Sequence, residues 1–218
     1  MIIEPSQKLL FIGDSVTDCE RVKPEGEGLF QALGKGYVSY VDALLQAVYP
    51  DLGIRVVNKG INGNTVRDLK NRWQEDVMNQ KPDWVSIMIG INDVWRQYDT
   101  PFIKEWHVYL EEYEDTLRKL VKETKPFVKG MVLMTPFYIE SNELDQMRQS
   151  MDQYGLVVKK IAEEEGCLFI DTQATFNVVL KELHSATLAW DRVHPSAAGH
   201  MILARVFLKE IGFDWNSS

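Results

Sequence analysis

Ser15, Asp191 and His194 are the residues of this chain whose types and spacing could do nucleophilic chemistry. A serine hydroxyl attacks a carbonyl poorly until a base takes its proton. Among four histidines, His194 is best placed to be that base. Pro195 after it disfavours the α region, which puts the ring on an extended turn. Asp191 lies three residues earlier, where a carboxylate can fix the ring's tautomer and stabilise the imidazolium. His107 falls in a charged helical stretch and reads as solvated surface. His184 reads as a loop or helix-end residue, and His200 as packed or capping inside the last helix. Ser15 follows an apolar run and Gly13, which permits a tight turn. A helix starting at or after it would aim N–H groups at a developing oxyanion. The candidate oxyanion donors are the N–H of Ser15, the N–H of Gly63 and the side-chain amide of Asn92. Each piece alone has a plainer reading: a turn or cap for Gly13-Asp14-Ser15, an incidental loop pair for Asp191 and His194, an Asn-Asp turn at Asn92, and a loop glycine at Gly63. Asp14 and Asp93 read as structural carboxylates that bond loop amides.

The elements that must position these residues are legible as alternating patterns. Five apolar runs read as buried strands: 8–12, 54–58, 84–89, 128–134 and 167–170. Several are nearly continuous in Val, Ile, Leu and Met, as parallel strands covered on both faces require. Helical faces lie between them. Val66, Leu69, Trp73 and Val77 share one; Trp106, Tyr109, Tyr113, Leu117 and Leu120 share the next. A third pattern spans about 144–165, a short helix follows the fifth run, and a last helix spans about 196–211. Strands alternating with helices imply an α/β fold with a parallel sheet. Ligands then sit beyond the carboxyl ends of the strands. Ser15, Gly63 and Asn92 follow the first three runs, and Asp191 and His194 come after the fifth, so one sheet edge gathers them all.

Composition bounds the function. The chain has 218 residues, 45% hydrophobic and 26% charged, which is ordinary for one α/β domain over residues 1–218. The formal net charge of −8 argues against a nucleic-acid partner. No run is long enough for a membrane span, and the segment 1–7 does not read as a secretory signal. Cytoplasmic localisation is the expectation. Cys19 and Cys167 form no CxxC and no metal spacing, and read as small packed residues in a reducing compartment. No metal and no cofactor are expected.

Gly13-Asp14-Ser15, Gly63, Gly90-Ile91-Asn92-Asp93 and Asp191-Arg192-Val193-His194-Pro195 occur in this order, and together they resemble the four sequence blocks of the SGNH (GDSL-like) hydrolases. The first block departs from the family's name only by Val16 in place of leucine. The resemblance implies a flavodoxin-like three-layer α/β/α sandwich with a five-stranded parallel sheet. It implies Ser15 as nucleophile, Asp191 and His194 as its triad partners, and Ser15, Gly63 and Asn92 as the oxyanion hole. Three further runs (57–61, 88–98 and 189–195), with 134–140, are similar to the bacterial acetylxylan esterases of that family. That group implies a small acetylated sugar, such as a xylo-oligosaccharide, as substrate, and a homo-oligomer.

Trp95, Tyr98, Tyr138 and Trp190 flank the strand ends and are candidate walls of a small acyl or sugar pocket. The Gly-rich segment 24–36 carries no phosphate-loop pattern and reads as a substrate or interface loop. The leading alternative function is a lysophospholipase- or thioesterase-like acylhydrolase acting on longer chains. An aspartyl phosphatase would need a second acid where Val16 stands. A phospho-accepting receiver domain is shorter and, by resemblance, would carry a lysine where Asp171 stands. A catalytically dead sugar-binding module would not retain a complete triad.

Overall fold

The computed structural model describes residues 1–215. Its centre is a five-stranded, all-parallel sheet in the order β2-β1-β3-β4-β5, formed by β1 (Lys8–Gly13), β2 (Arg55–Asn58), β3 (Trp84–Met88), β4 (Gly130–Met134) and β5 (Leu168–Ile170). Register is continuous across the sheet: Leu10 lies opposite Val57 and Val85, and Val85 opposite Met131. Leu9, Leu10, Phe11 and Ile12 on β1 are fully buried. Each such side chain contributes roughly 1.5–3 kcal/mol by leaving water. All five sequence-read runs are therefore strands: β1 runs one residue further, to Gly13, and the other four are trimmed by one or two residues.

The strand order dictates where the helices go. Right-handed crossovers send the β1-to-β2 connection over one face and the later ones over the other. Accordingly α2 (Tyr37–Val48) packs against α9 (Ala197–Glu210), and α7 (Thr172–Val179) joins them. On the opposite face α5 (Leu110–Thr124) packs between α3 (Val66–Trp73) and α6 (Gln146–Glu165), and α4 (Ile91–Asp99) leans on α6. The short α1 (Ser15–Asp18) and α8 (Ser185–Leu188) lie in the connections. This is the flavodoxin-like strand order and the three-layer sandwich expected from the resemblance.

Local chemistry sets the helix ends. Thr65 and Asp68 form a reciprocal capping box at α3, Asp145 caps α6, and Asp171 caps α7 through the Ala174 amide. Val66, Leu69, Trp73 and Val77 are buried as read, the last on a π turn over Gln74–Met78 that prolongs α3. Other readings are corrected. Trp106 and Tyr109 do not share a helix face with Tyr113: both are exposed, because Tyr109 is extended and α5 starts after it. Leu144 precedes the Asp145 cap and is exposed. His107 is not surface but 4% exposed, its ring bonded to the Thr100 carbonyl and the Tyr109 hydroxyl. The single short helix expected after the fifth strand is two, α7 and α8. Residues 24–36 are bound to the end of β2: Asn58 N–H donates to Gly26 O at 2.8 Å and the Asn58 amide to Leu33 O at 2.8 Å.

Candidate active site

Ser15 is the first residue of α1, directly after β1. Asp14 caps that turn by accepting the Val16 N–H at 3.0 Å. The turn needs Gly13, since a Cβ there would lie 2.3 Å from the Met88 carbonyl on the neighbouring strand. Ser15 Oγ is 2.9 Å from His194 Nε2, and His194 Nδ1 is 2.6 Å from Asp191 Oδ2. The other Asp191 oxygen accepts the amides of His194 at 2.8 Å and Val193 at 3.0 Å. Burial alone would raise the Asp191 carboxyl, but the hydrogen bonds from the His194 ring and these two amides outweigh it and hold it below the usual carboxylate value. A carboxylate so held stays ionised and is fit to orient a ring and meet its positive charge.

The triad turn is anchored from the far side of the sheet edge. Arg192, at φ +64°, gives its carbonyl to Ile139 N–H and pairs its guanidinium with Glu140 at 2.8 Å. Neither Arg192 nor Glu140 was singled out in the sequence, because their pairing exists only once the end of β4 meets this turn.

Asn92 stands in the first turn of α4 and is 2% exposed. Its Nδ2 donates one N–H to the Asn64 carbonyl at 3.0 Å, and its Oδ1 accepts from Arg96 at 3.3 Å. That fixes the amide's orientation and leaves its second N–H. Gly63 precedes Asn64, and its φ of +77° is a conformation glycine adopts freely. Asp93 accepts the Val66 N–H at 3.0 Å, a second tie between α4 and the same loop. Burial raises Asp14 to about 7 and Asp93 to about 8. Each keeps one buried oxygen without a partner among the described residues, which fits structural carboxylates that spend part of their time protonated.

The four aromatic candidates separate. Trp95 packs its ring 5.8 Å from that of His194, and the Arg96 guanidinium lies over the Trp95 ring at 5.3 Å. Tyr138 is half-buried beside the Arg192 guanidinium, and its N–H donates to Gln173 Oε1 at 2.8 Å. Tyr98 turns away, its hydroxyl bonded to the Gln146 carbonyl and Ser150 on α6. Trp190 is 89% exposed and adjoins the triad only through the chain. A cavity of about 490 Å³ opens beside Ser15 and His194, walled by Asp18, Arg21, Lys23 and Asn62. A larger hollow of about 910 Å³, between α3 and α5, shares none of these residues. His200 backs the site: its Nδ1 accepts the Tyr37 N–H at 3.2 Å and its Nε2 lies 3.5 Å from Cys19 Sγ. Burial lowers its pKa to about 4, so it is neutral and unsuited to serve as a second charged group. Cys19 and Cys167 are half-buried and unpaired. Among the described residues no group of three or more His, Cys, Asp or Glu could hold a metal ion, and no helix is long and apolar enough to cross a membrane.

The model of the GDSL-like lipase/acylhydrolase family matches residues 11–202. The chain belongs to this family. Within it, the chain is 76% identical to the acetylxylan esterase of Geobacillus stearothermophilus over 215 residues, covering 99% of this chain and 98% of that one. Solved structures of that esterase, Axe2, superpose closely. An S15A form, described as a catalytic mutant, gives a TM-score of 0.99 at 75% identity, covering 100% of each chain. H194A and D191A forms, also described as catalytic mutants, give 0.98 and 0.99. LAE5, an α/β hydrolase from the metagenome of Lake Arreo in Spain, gives 0.96 at 52% identity, covering 98% of each chain.

Proposed function

We propose that this chain is a serine esterase that removes O-acetyl groups from acetylated xylo-oligosaccharides. The observation that carries the reading is the hydrogen-bonded series Ser15–His194–Asp191, set on a chain of this family 76% identical to an acetylxylan esterase. Ser15 Oγ attacks the acetyl carbonyl while His194 Nε2 takes its proton. The carbonyl oxygen becomes an anion facing the Ser15 and Gly63 N–H groups and the free N–H of Asn92. The intermediate then collapses: the C–O bond to the sugar breaks, and His194 returns the proton to the departing sugar oxygen. Water, deprotonated by His194, attacks the acetyl-Ser15 ester; the C–O bond to Ser15 breaks, His194 returns the proton to Ser15 Oγ, and acetate leaves. Asp191 stabilises the imidazolium in both halves.

Asp18, Arg21, Lys23 and Asn62 at the cavity beside Ser15 offer hydrogen-bonding partners to a sugar's hydroxyls. Trp95 lies against the catalytic ring and is the aromatic best placed to limit acyl length; Tyr138 supports the triad turn through Arg192. The unpaired thiols fit a reducing, cytoplasmic setting. The exposed aromatics Phe30, Phe102, Trp190 and Trp215 fit a homo-oligomer. The decisive experiment compares acetate release from acetylated xylo-oligosaccharides with hydrolysis of acetyl, butyryl and octanoyl esters. Rapid deacetylation and a steep fall with acyl length are expected. Faster octanoyl than acetyl hydrolysis would favour the lysophospholipase- or thioesterase-like reading instead.

A further inference from the structure

An oxyanion hole works only if its donors are already in place when the charge forms. Here the three donors come from the ends of three different strands: Ser15 after β1, Gly63 after β2 and Asn92 after β3. Something must hold those ends at fixed spacing. Arg72, in the last turn of α3, has a mostly buried side chain. Its Nε donates to Asn64 Oδ1 at 2.7 Å. One Nη donates to the Lys59 carbonyl at 2.7 Å and to Asp76 at 2.8 Å, and the other to the Gly13 carbonyl at 3.1 Å. Gly13 lies two residues before Ser15, and Asn64 is the residue after Gly63. The Asn64 carbonyl accepts the Asn92 amide. Asn64 N–H donates to the Ile61 carbonyl at 3.2 Å, and Ile61 N–H donates to the same Gly13 carbonyl at 3.1 Å. One planar fork therefore bonds to the approach to the nucleophile and to the residue that links Gly63 with Asn92.

We propose that Arg72, acting through the Asn64 side chain, is a positioning residue that sets the spacing of the oxyanion donors Ser15, Gly63 and Asn92. The inference rests on the oxyanion assignment above. Neither residue touches the acyl group, and Asp76 pairs with the guanidinium at 2.8 Å while also lying 4.0 Å from the Lys59 ammonium. A lysine at 72 would keep a charge near Asp76 but, being a point charge without a fork, would not span Gly13, Lys59 and Asn64 together.

The test measures kcat, KM and Tm for Asn64→Ala and Arg72→Lys with p-nitrophenyl acetate, each alone and combined with Asn92→Ala. A small displacement of catalytic donors costs up to about a hundredfold in rate. A fall in kcat of about tenfold is expected for Asn64→Ala, and more for Arg72→Lys, with KM within about twofold. In the Asn92→Ala background the same losses shrink at least about threefold, because the donor held through Asn64 is already gone. A purely structural role would lower Tm and reduce activity equally in both backgrounds, and that result overturns the proposal. So does unchanged kcat in folded Asn64→Ala. If Arg72→Lys fails to fold, Asn64→Ala decides, since it removes one bond and keeps the others. If Asn92→Ala itself leaves kcat intact, the oxyanion assignment falls and this inference falls with it; if Asn92→Ala is damaging and the losses simply add, only this inference falls.

Discussion

The two halves of the active edge are built differently. On the nucleophile side, Asp14, Asn92 and Asp93 are buried and the loops are cross-tied by Arg72, Asn64 and Asp93. On the other side, Asp191 and His194 are exposed, on a turn tied to the end of β4 by the Ile139 backbone bond and the Arg192–Glu140 pair. In the proposed mechanism the difference follows from what each half does. Donors that stabilise a transient anion lose their effect when they move, so they are embedded. The acid–base pair must pass a proton to the leaving sugar and take one from water, so it stays open to solvent. Rigidity and access are assigned to different strands' ends.

The largest effects should come from the reacting pair, Ser15 on the first half and His194 on the second, because neither group is replaceable. Ser15→Ala and His194→Ala should each lower kcat by at least about 10⁴-fold with Tm nearly unchanged, measured with p-nitrophenyl acetate and thermal melts. Next comes the buried half. Asn92→Ala should lower kcat by about a hundredfold with KM nearly unchanged, and Asn92→Asp should be worse because its charge opposes the anion. A lower Tm with only modest kcat loss in both would make Asn92 a structural turn residue and dissolve the contrast.

A smaller effect concerns the anchor of the triad turn. Glu140→Gln keeps the shape and removes the ion pair with half-exposed Arg192. Such pairs are worth about 1 kcal/mol or less, so kcat should fall less than about fivefold and more at low than at high salt. A loss as large as that of His194→Ala would mean Glu140 enters the chemistry. Smaller again, and on stability alone, is the pH response of the buried half. Burial raises Asp14 to about 7 and Asp93 to about 8, from an ordinary 3.8. A carboxyl raised on folding binds its proton more tightly in the folded state. Its contribution is complete below the unfolded value and is lost as pH climbs through the folded one. Tm should therefore fall between about pH 4 and 8, and Asp93→Asn should make that fall shallower. An equal slope in wild type and Asp93→Asn would show that Asp93 does not titrate in this window. Chelation with EDTA should leave activity unchanged; inhibition that zinc or magnesium reverses would require a metal step.

What was legible in the sequence divides along the same line. The strands announced themselves because two-sided burial demands unbroken apolar runs. The triad was legible because Pro195 and the three-residue spacing constrain a local turn. Features made by tertiary contact were silent. Nothing about Arg72 distinguishes it from a solvated helix arginine until the ends of β1 and β2 close around it. The helix α2 went unread although Val38, Val41 and Leu45 lie on one buried face, since the glycines before it read as a loop. Helix α4 also went unread, because its N-terminus, Gly90, has no capping side chain. His107 was misplaced because charged neighbours on both sides suggested solvent, whereas the turn at Lys104–Trp106 folds its ring inward. Trp190 and Tyr98 show the limit of proximity in sequence: one adjoins the triad yet faces solvent, and the other is bonded to α6.

The most direct test of a nucleophilic Ser15 is covalent capture. A p-nitrophenyl dialkyl phosphate should release one equivalent of p-nitrophenolate, abolish esterase activity, and leave a phosphoryl group that peptide mass spectrometry locates on Ser15. The same labelling should be far slower in His194→Ala, where no base removes the hydroxyl proton. Inactivation with the label on another residue, or full activity after one equivalent of p-nitrophenolate has been released, would contradict a mechanism through Ser15.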